Sequence, residues 1–173
     1  MRAMMLTRTQ KAGLLASVLA GGALIAALLS ESVGGLVPCA LCLLERWPYR
    51  AALLFGTLSL ASVRLSRAMV ALAAVSLLAG TGLGFVHVGV EQAWWPSPLP
   101  ECAAPQLGHG TMAERLARMP ARPAKPCDEP TFLIPGLPVS MAAMNLGLSA
   151  VLAVGLLVAI LPRRSVRHER HVI

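Results

Sequence analysis

Apolar residues fall in four long blocks along this chain, and the charges collect between them. Gly13 to Ser30 carries no charge, nor does Ala51 to Val63. Ala68 to Val90 has His87 as its only titratable residue, and Val139 to Leu161 is again uncharged. A helix rises about 1.5 Å per residue, so about 20 apolar residues cross a hydrocarbon core. The first, third and fourth blocks meet that length. The second meets it only if its first turns lie upstream, among Cys42 to Arg50. A soluble helical protein needs polar faces, and these blocks have none to wet. The pattern predicts an all-α fold: a polytopic membrane four-helix bundle forming one domain over 1–173. Spans are expected near 13–30, 47–63, 68–90 and 139–161, with external loops at 31–46 and 91–138.

Composition agrees with that reading. Hydrophobic residues make up 56% of the chain and charged ones 13%, far from the usage of an ordinary soluble domain. Arg2, Arg8 and Lys11 ahead of the first block would suit a cleaved signal peptide. The block is longer than a usual h-region, however, and Ser30, Glu31 and Ser32 offer no small-x-small site, so a retained span is expected.

Charge then orients the bundle. The segments before block one, between blocks two and three, and after block four hold nine basic residues and one acid, Glu169. The other two segments hold six basic residues and seven acids. The positive-inside rule puts both termini in the cytoplasm and residues 31–50 and 91–138 outside. The basic residues flank the spans and form no single patch, which argues against a nucleic-acid partner.

All four cysteines fall in the two external segments, as suits an oxidising compartment. The first pair sits in Pro38-Cys39-Ala40-Leu41-Cys42, followed by Glu45-Arg46. Two cysteines at this spacing can close a tight, reducible disulfide, and a thiolate is favoured by a helix N-terminus or a nearby cation. Arg46 follows Cys42 by one helical turn, on the same face. Pro48 disfavours a helical Trp47, so the helix either starts near Cys39 or Cys42, starts at Pro48, or kinks there. Half a zinc site is the competing reading. It needs two more ligands, and Cys102 and Cys127, with His109 between them, do not have a zinc-ribbon spacing; no metal site is expected.

The second pair, Cys102 and Cys127, lies in a proline-rich external loop. Thr111-Met112-Ala113-Glu114 reads as a capping box, with Met112, Leu116 and Met119 on one face and Pro120 ending the run. It predicts a short amphipathic helix, lying on the bilayer or packed on its own loop. Trp94 and Trp95 stand where an interfacial belt is expected. A Cys102–Cys127 disulfide would be a structural staple, or one half of an electron relay that exchanges with the first pair through a mixed disulfide.

At Pro38-Cys39-Ala40-Leu41-Cys42-Leu43-Leu44-Glu45-Arg46, at Trp95-Pro96-Ser97-Pro98 and at Gly136-Leu137-Pro138-Val139-Ser140-Met141, the chain resembles the disulfide bond formation protein B (DsbB) family. The resemblance extends to four spans and two external cysteine pairs. It implies a membrane protein-disulfide oxidoreductase of the bacterial inner membrane. Such a protein reoxidises a periplasmic DsbA-like dithiol oxidase and passes the electrons to a quinone, ubiquinone or menaquinone. By the same resemblance Cys102 takes the mixed disulfide with the partner and Cys127 is its loop mate. Cys39 and Cys42 lie nearer the quinone, with Cys42 as the thiolate touching its ring. Arg46 and His87 border the quinone. Two other classes stay open: a small membrane scaffold or transporter subunit with structural disulfides, and a quinone oxidoreductase of the vitamin K epoxide reductase type. An arginine at the membrane mouth favours the redox reading over the scaffold, since charge there is costly.

Overall fold

The computed structural model describes residues 6–102, 111–117, 125–133 and 136–162. It is all-helical among these residues: α1 (Arg8–Ser32), α2 (Ala40–Leu58), α3 (Val63–Glu91), a 3-10 turn at Pro100–Cys102, α4 (Met112–Ala117) and α5 (Met141–Ile160). α1, α3 and α5 are each long and apolar enough to cross a membrane. α2 completes a four-helix membrane bundle in which α3 packs on α2 and α5, and α1 on α2.

The packing is small inside and large outside. Ala16, Ala20, Ala52, Ala73, Ala74 and Ala153 are at most 1% exposed. Leu15, Val18, Val75 and Val151 are all more than half exposed. Small residues let helix backbones approach closely, as association within lipid requires. The outer leucines and valines would be a large liability in water, but they are well solvated by acyl chains.

The second helix begins earlier than the sequence pattern suggests. It starts at Ala40 and ends at Leu58, whereas the apolar block pointed to 47–63. Cys39 explains the start: it is the N-cap, and its Sγ accepts the Cys42 N–H at 3.2 Å. The helix runs on through Trp47 and Pro48, although proline forfeits a helical hydrogen bond. Its ring finds room because residue 80 of α3 is glycine. A Cβ there would stand 3.0 Å from Pro48 Cβ. α1 and α3 also extend past their apolar blocks, taking in Arg8 and Lys11, and Arg64 and Arg67.

Two caps set the loop over the site. At the end of α3, the Trp94 N–H donates to Gly89 O at 2.8 Å and the Ala93 N–H to Val90 O at 3.0 Å. This is a Schellman motif with alanine, at φ 56°, where glycine is usual. It turns the chain back so that the Trp95 ring lies over Gly89 and its Nε1–H donates to Val86 O at 3.2 Å. At the start of α5, Ser140 accepts the Ala143 N–H and donates to Glu91 at the end of α3. In α4 the Thr111–Glu114 capping box forms: the Thr111 N–H donates to Glu114 Oε2 at 2.9 Å and the Glu114 N–H to Thr111 Oγ1 at 3.4 Å. The side chains of Leu116 and Met119, and His109, lie outside the described residues.

Candidate redox site

The site is built where the N-terminus of α2 meets the C-terminal end of α3. Capping draws Cys39 Sγ toward the first turn of α2, and one turn places Cys42 beside it. The two sulfurs are 2.9 Å apart, as free thiols. From α3, His87 approaches with Nε2 3.5 Å from Cys39 Sγ. Its other nitrogen, Nδ1, is 3.0 Å from Glu45 Oε1. The hydrogen bond between Glu45 and Nδ1 fixes the ring so that Nε2 faces the sulfur. Glu45 and His87 are both buried. The result is a carboxylate–imidazole–thiol array, the arrangement that orients and supports a nucleophilic sulfur.

Cys39 precedes α2, outside the helix, as its N-cap. Hydrogen bonding from the Cys42 thiol, then from His87 and the Cys42 amide, outweighs burial and brings its thiol down to about 4. In this dithiol geometry hydrogen bonding favours the charge on Cys39; the thiolate that the resemblance implies at the quinone is Cys42, which borders the cavity.

Cys42 faces elsewhere. With Glu45, Arg46 and Tyr49 it lines a partly open cavity of about 230 Å³ between α1, α2 and α5. One water needs only roughly 10–15 Å³. Ala23, Leu24, Met141, Met144 and Leu148 make the rest of the wall mostly apolar. Arg46 pairs with Glu31 at the end of α1. Tyr49 donates its hydroxyl to the Asn145 backbone carbonyl at 3.3 Å. Asn145 Nδ2 is buried at the cavity wall and has no hydrogen-bond partner among the described residues.

The loop pair closes into a Cys102–Cys127 disulfide with Cα atoms 5.0 Å apart. It is not held away from the first pair. Cys39, Leu41, Val90, Cys102 and Cys127 form one buried cluster, with Cys42, Trp95 and Leu99 packed against it.

All six residues singled out from the sequence thus meet in one region. Cys39, Cys42 and His87 are in direct contact, Cys42 and Arg46 share the cavity, and Cys102 and Cys127 share a buried cluster with Cys39. Sequence reasoning missed Glu45 and Asn145. Glu45 had a weak signal, a carboxylate in a membrane helix, where charge is rare without a partner, masked by Arg46 beside it. Asn145 had none beyond being polar in the fourth block.

A helical membrane bundle whose buried dithiol packs against a loop disulfide is a membrane thiol–disulfide oxidoreductase. Residues 9–159 match the family described as Disulfide bond formation protein DsbB, and the chain belongs to that family. No curated protein and no solved structure matches the chain significantly.

Proposed function

We propose that this protein reoxidises a DsbA-like dithiol oxidase in the periplasm and delivers the electrons to a membrane quinone, so sustaining disulfide bond formation in secreted proteins. The observation that carries the reading is that the two cysteine pairs share one buried cluster while Cys42 alone of the four cysteines opens on the cavity.

The chemistry follows by thiol exchange. A partner thiolate attacks Cys102 Sγ, the loop disulfide breaks, and Cys127 leaves as a thiolate. The second partner thiol resolves the mixed disulfide and frees Cys102. Cys127 attacks Cys39 Sγ of an oxidised Cys39–Cys42 pair, forming a Cys39–Cys127 disulfide and releasing Cys42 as the thiolate beside the cavity. When Cys102 attacks Cys127, the loop disulfide is restored and the first pair is left as a dithiol. The quinone supplies an acceptor for two electrons and two protons. The net change is a partner dithiol becoming a disulfide and a quinone becoming a quinol.

The cavity suits such a ligand. Its walls are mostly apolar, and two polar side chains with donors are among the lining residues: Arg46, and Asn145, whose buried Nδ2 has no partner among the described residues. A buried donor without a partner costs about 1–3 kcal/mol, a cost that a ligand carbonyl relieves. Arg46 would bind or polarise one quinone oxygen. His87, which the resemblance set beside the quinone, contacts Cys39 and is absent from the cavity wall, so we assign it to holding the sulfur and its proton.

The test is anaerobic mixing of the purified protein with a reduced dithiol oxidase and added quinone. Loss of quinone absorbance that needs both protein components supports the function. Oxidation of the dithiol with no quinone consumed would overturn it.

A further inference from the structure

We propose that the reduced Cys39–Cys42 pair and His87 form a binding site for one thiophilic divalent cation, zinc first among them, present only while the pair is a dithiol. Cys39 Sγ, Cys42 Sγ and a ring nitrogen of His87 all lie within 4.8 Å of one another. Tetrahedral zinc with Zn–S of about 2.3 Å and Zn–N of about 2.0–2.1 Å needs S···N near 3.6 Å and S···S near 3.8 Å. Cys39 Sγ and His87 Nε2, at 3.5 Å, are already at that spacing. The sulfurs, at 2.9 Å, must open by just under an ångström. Cys42 is free to make that move, because it borders the cavity while Cys39 is fixed as a helix cap.

Three further features suit an ion. Glu45 contacts His87 Nδ1, and with the proton on that nitrogen Nε2 is left to offer its lone pair to an ion in a fixed direction. A carboxylate behind a ligating histidine is the usual support of zinc sites. Two thiolates neutralise the dication in a place where an uncompensated charge would be very costly. The protein supplies three ligands, leaving a fourth position for water.

This site differs from the four-cysteine arrangement weighed from the sequence. Cys102 and Cys127 are joined to each other and donate nothing. Oxidising Cys39 and Cys42 to a disulfide removes both sulfur ligands, and an ion bound to both sulfurs keeps them from closing. Metal binding and reoxidation of the pair therefore exclude one another, and zinc acts as a reversible brake on the dithiol form. The inference concerns quinone-free protein and stands or falls apart from the quinone reading.

The test uses the full chain carrying Cys102→Ser and Cys127→Ser, reduced, in detergent and without quinone. Cadmium is titrated while the cadmium–thiolate charge-transfer band is followed, and zinc is then added in competition. One cadmium per chain, displaced by zinc, is expected. Glu45→Gln should weaken binding by about 10–100-fold, the usual loss when such a supporting carboxylate is removed. His87→Ala should weaken it at least as much. Zinc X-ray absorption on the reduced chain with His87 intact needs no further variant, and should show two sulfurs with an imidazole. No saturable binding, equal affinity in His87→Ala, or a shell of sulfur without imidazole would overturn the proposal.

Discussion

Glu45 Oε1 and His87 Nδ1 lie 3.0 Å apart, both buried, joining the second turn of α2 to the last turns of α3. The contact turns the imidazole so that its other nitrogen meets Cys39. The sulfur's charge is thus set by two neighbours with unequal effect, Cys42 first and His87 after it.

The pH dependence of alkylation tests that order. The loop cysteines are joined, so Cys39 and Cys42 are the free thiols. The Cys39 thiol is lowered to about 4, so its alkylation rate should stay flat from neutral pH downward and fall only as pH drops through that value. Cys42→Ala should move the midpoint up furthest, toward the ordinary thiol value of about 8.5. His87→Ala should move it up less. A midpoint near 8.5 in the unsubstituted protein would refute the thiolate assignment.

Arg46 and Asn145 should separate quinone binding from folding. Arg46→Gln should raise the apparent KM for quinone and leave thiol exchange with the partner nearly intact, and Lys should restore it only in part because it lacks the planar fork. Asn145→Ala should raise the same KM. It should not lower the melting temperature of quinone-free protein, since it removes an unsatisfied buried donor worth about 1–3 kcal/mol. Unchanged quinone kinetics in both variants would remove the cavity from the mechanism.

Gly80 is the point where α3 accommodates Pro48. Gly80→Val should destabilise the bundle by about 1–3 kcal/mol through overpacking, because even its Cβ would press on the proline ring. Gly22→Val is the control: a Cβ there meets nothing within 4 Å. Thermal unfolding in the same detergent decides, and equal melting temperatures would reject the packing role.

The bundle itself was legible before the coordinates. Four apolar blocks became four long helices, and Thr111 and Glu114 capped the short loop helix as their spacing suggested. The start of α2 was left open between Cys39 or Cys42 and Pro48, because proline disfavours a helical Trp47; the packing of Pro48 against Gly80, from another helix, accommodates the ring where the helix runs through. The cysteines and Arg46 stood out because their chemistry is rare in an apolar chain, His87 stood out through the family resemblance, and the structure brings all of them to one region. Glu45 was hidden by its neighbour: beside Arg46 it reads as half of an adjacent pair, yet its partner is His87, while Arg46 turns to Glu31. Asn145 becomes notable only once there is a cavity wall for it to join.

The charge distribution predicts the topology, and the basic tail beyond residue 162 lies outside the described residues. Reporter fusions at Ser62, between α2 and α3, should report the cytoplasm, and fusions at Ser97 the periplasm. A periplasmic Ser62 would invert the bundle and place the cysteines in a reducing compartment.

The proposed function requires that the two cysteine pairs form one relay. Its most direct test is the burst of partner oxidation by fully oxidised protein, without quinone or oxygen, counted by thiol-trapping mass spectrometry. The relay predicts two partner disulfides per chain, one drawn from each pair, and a single one once Cys39→Ser removes the inner disulfide. A burst of one in the unsubstituted protein would mean that the inner pair never receives electrons from the loop, and a burst of none would reduce Cys102–Cys127 to a staple. Either result would contradict the account.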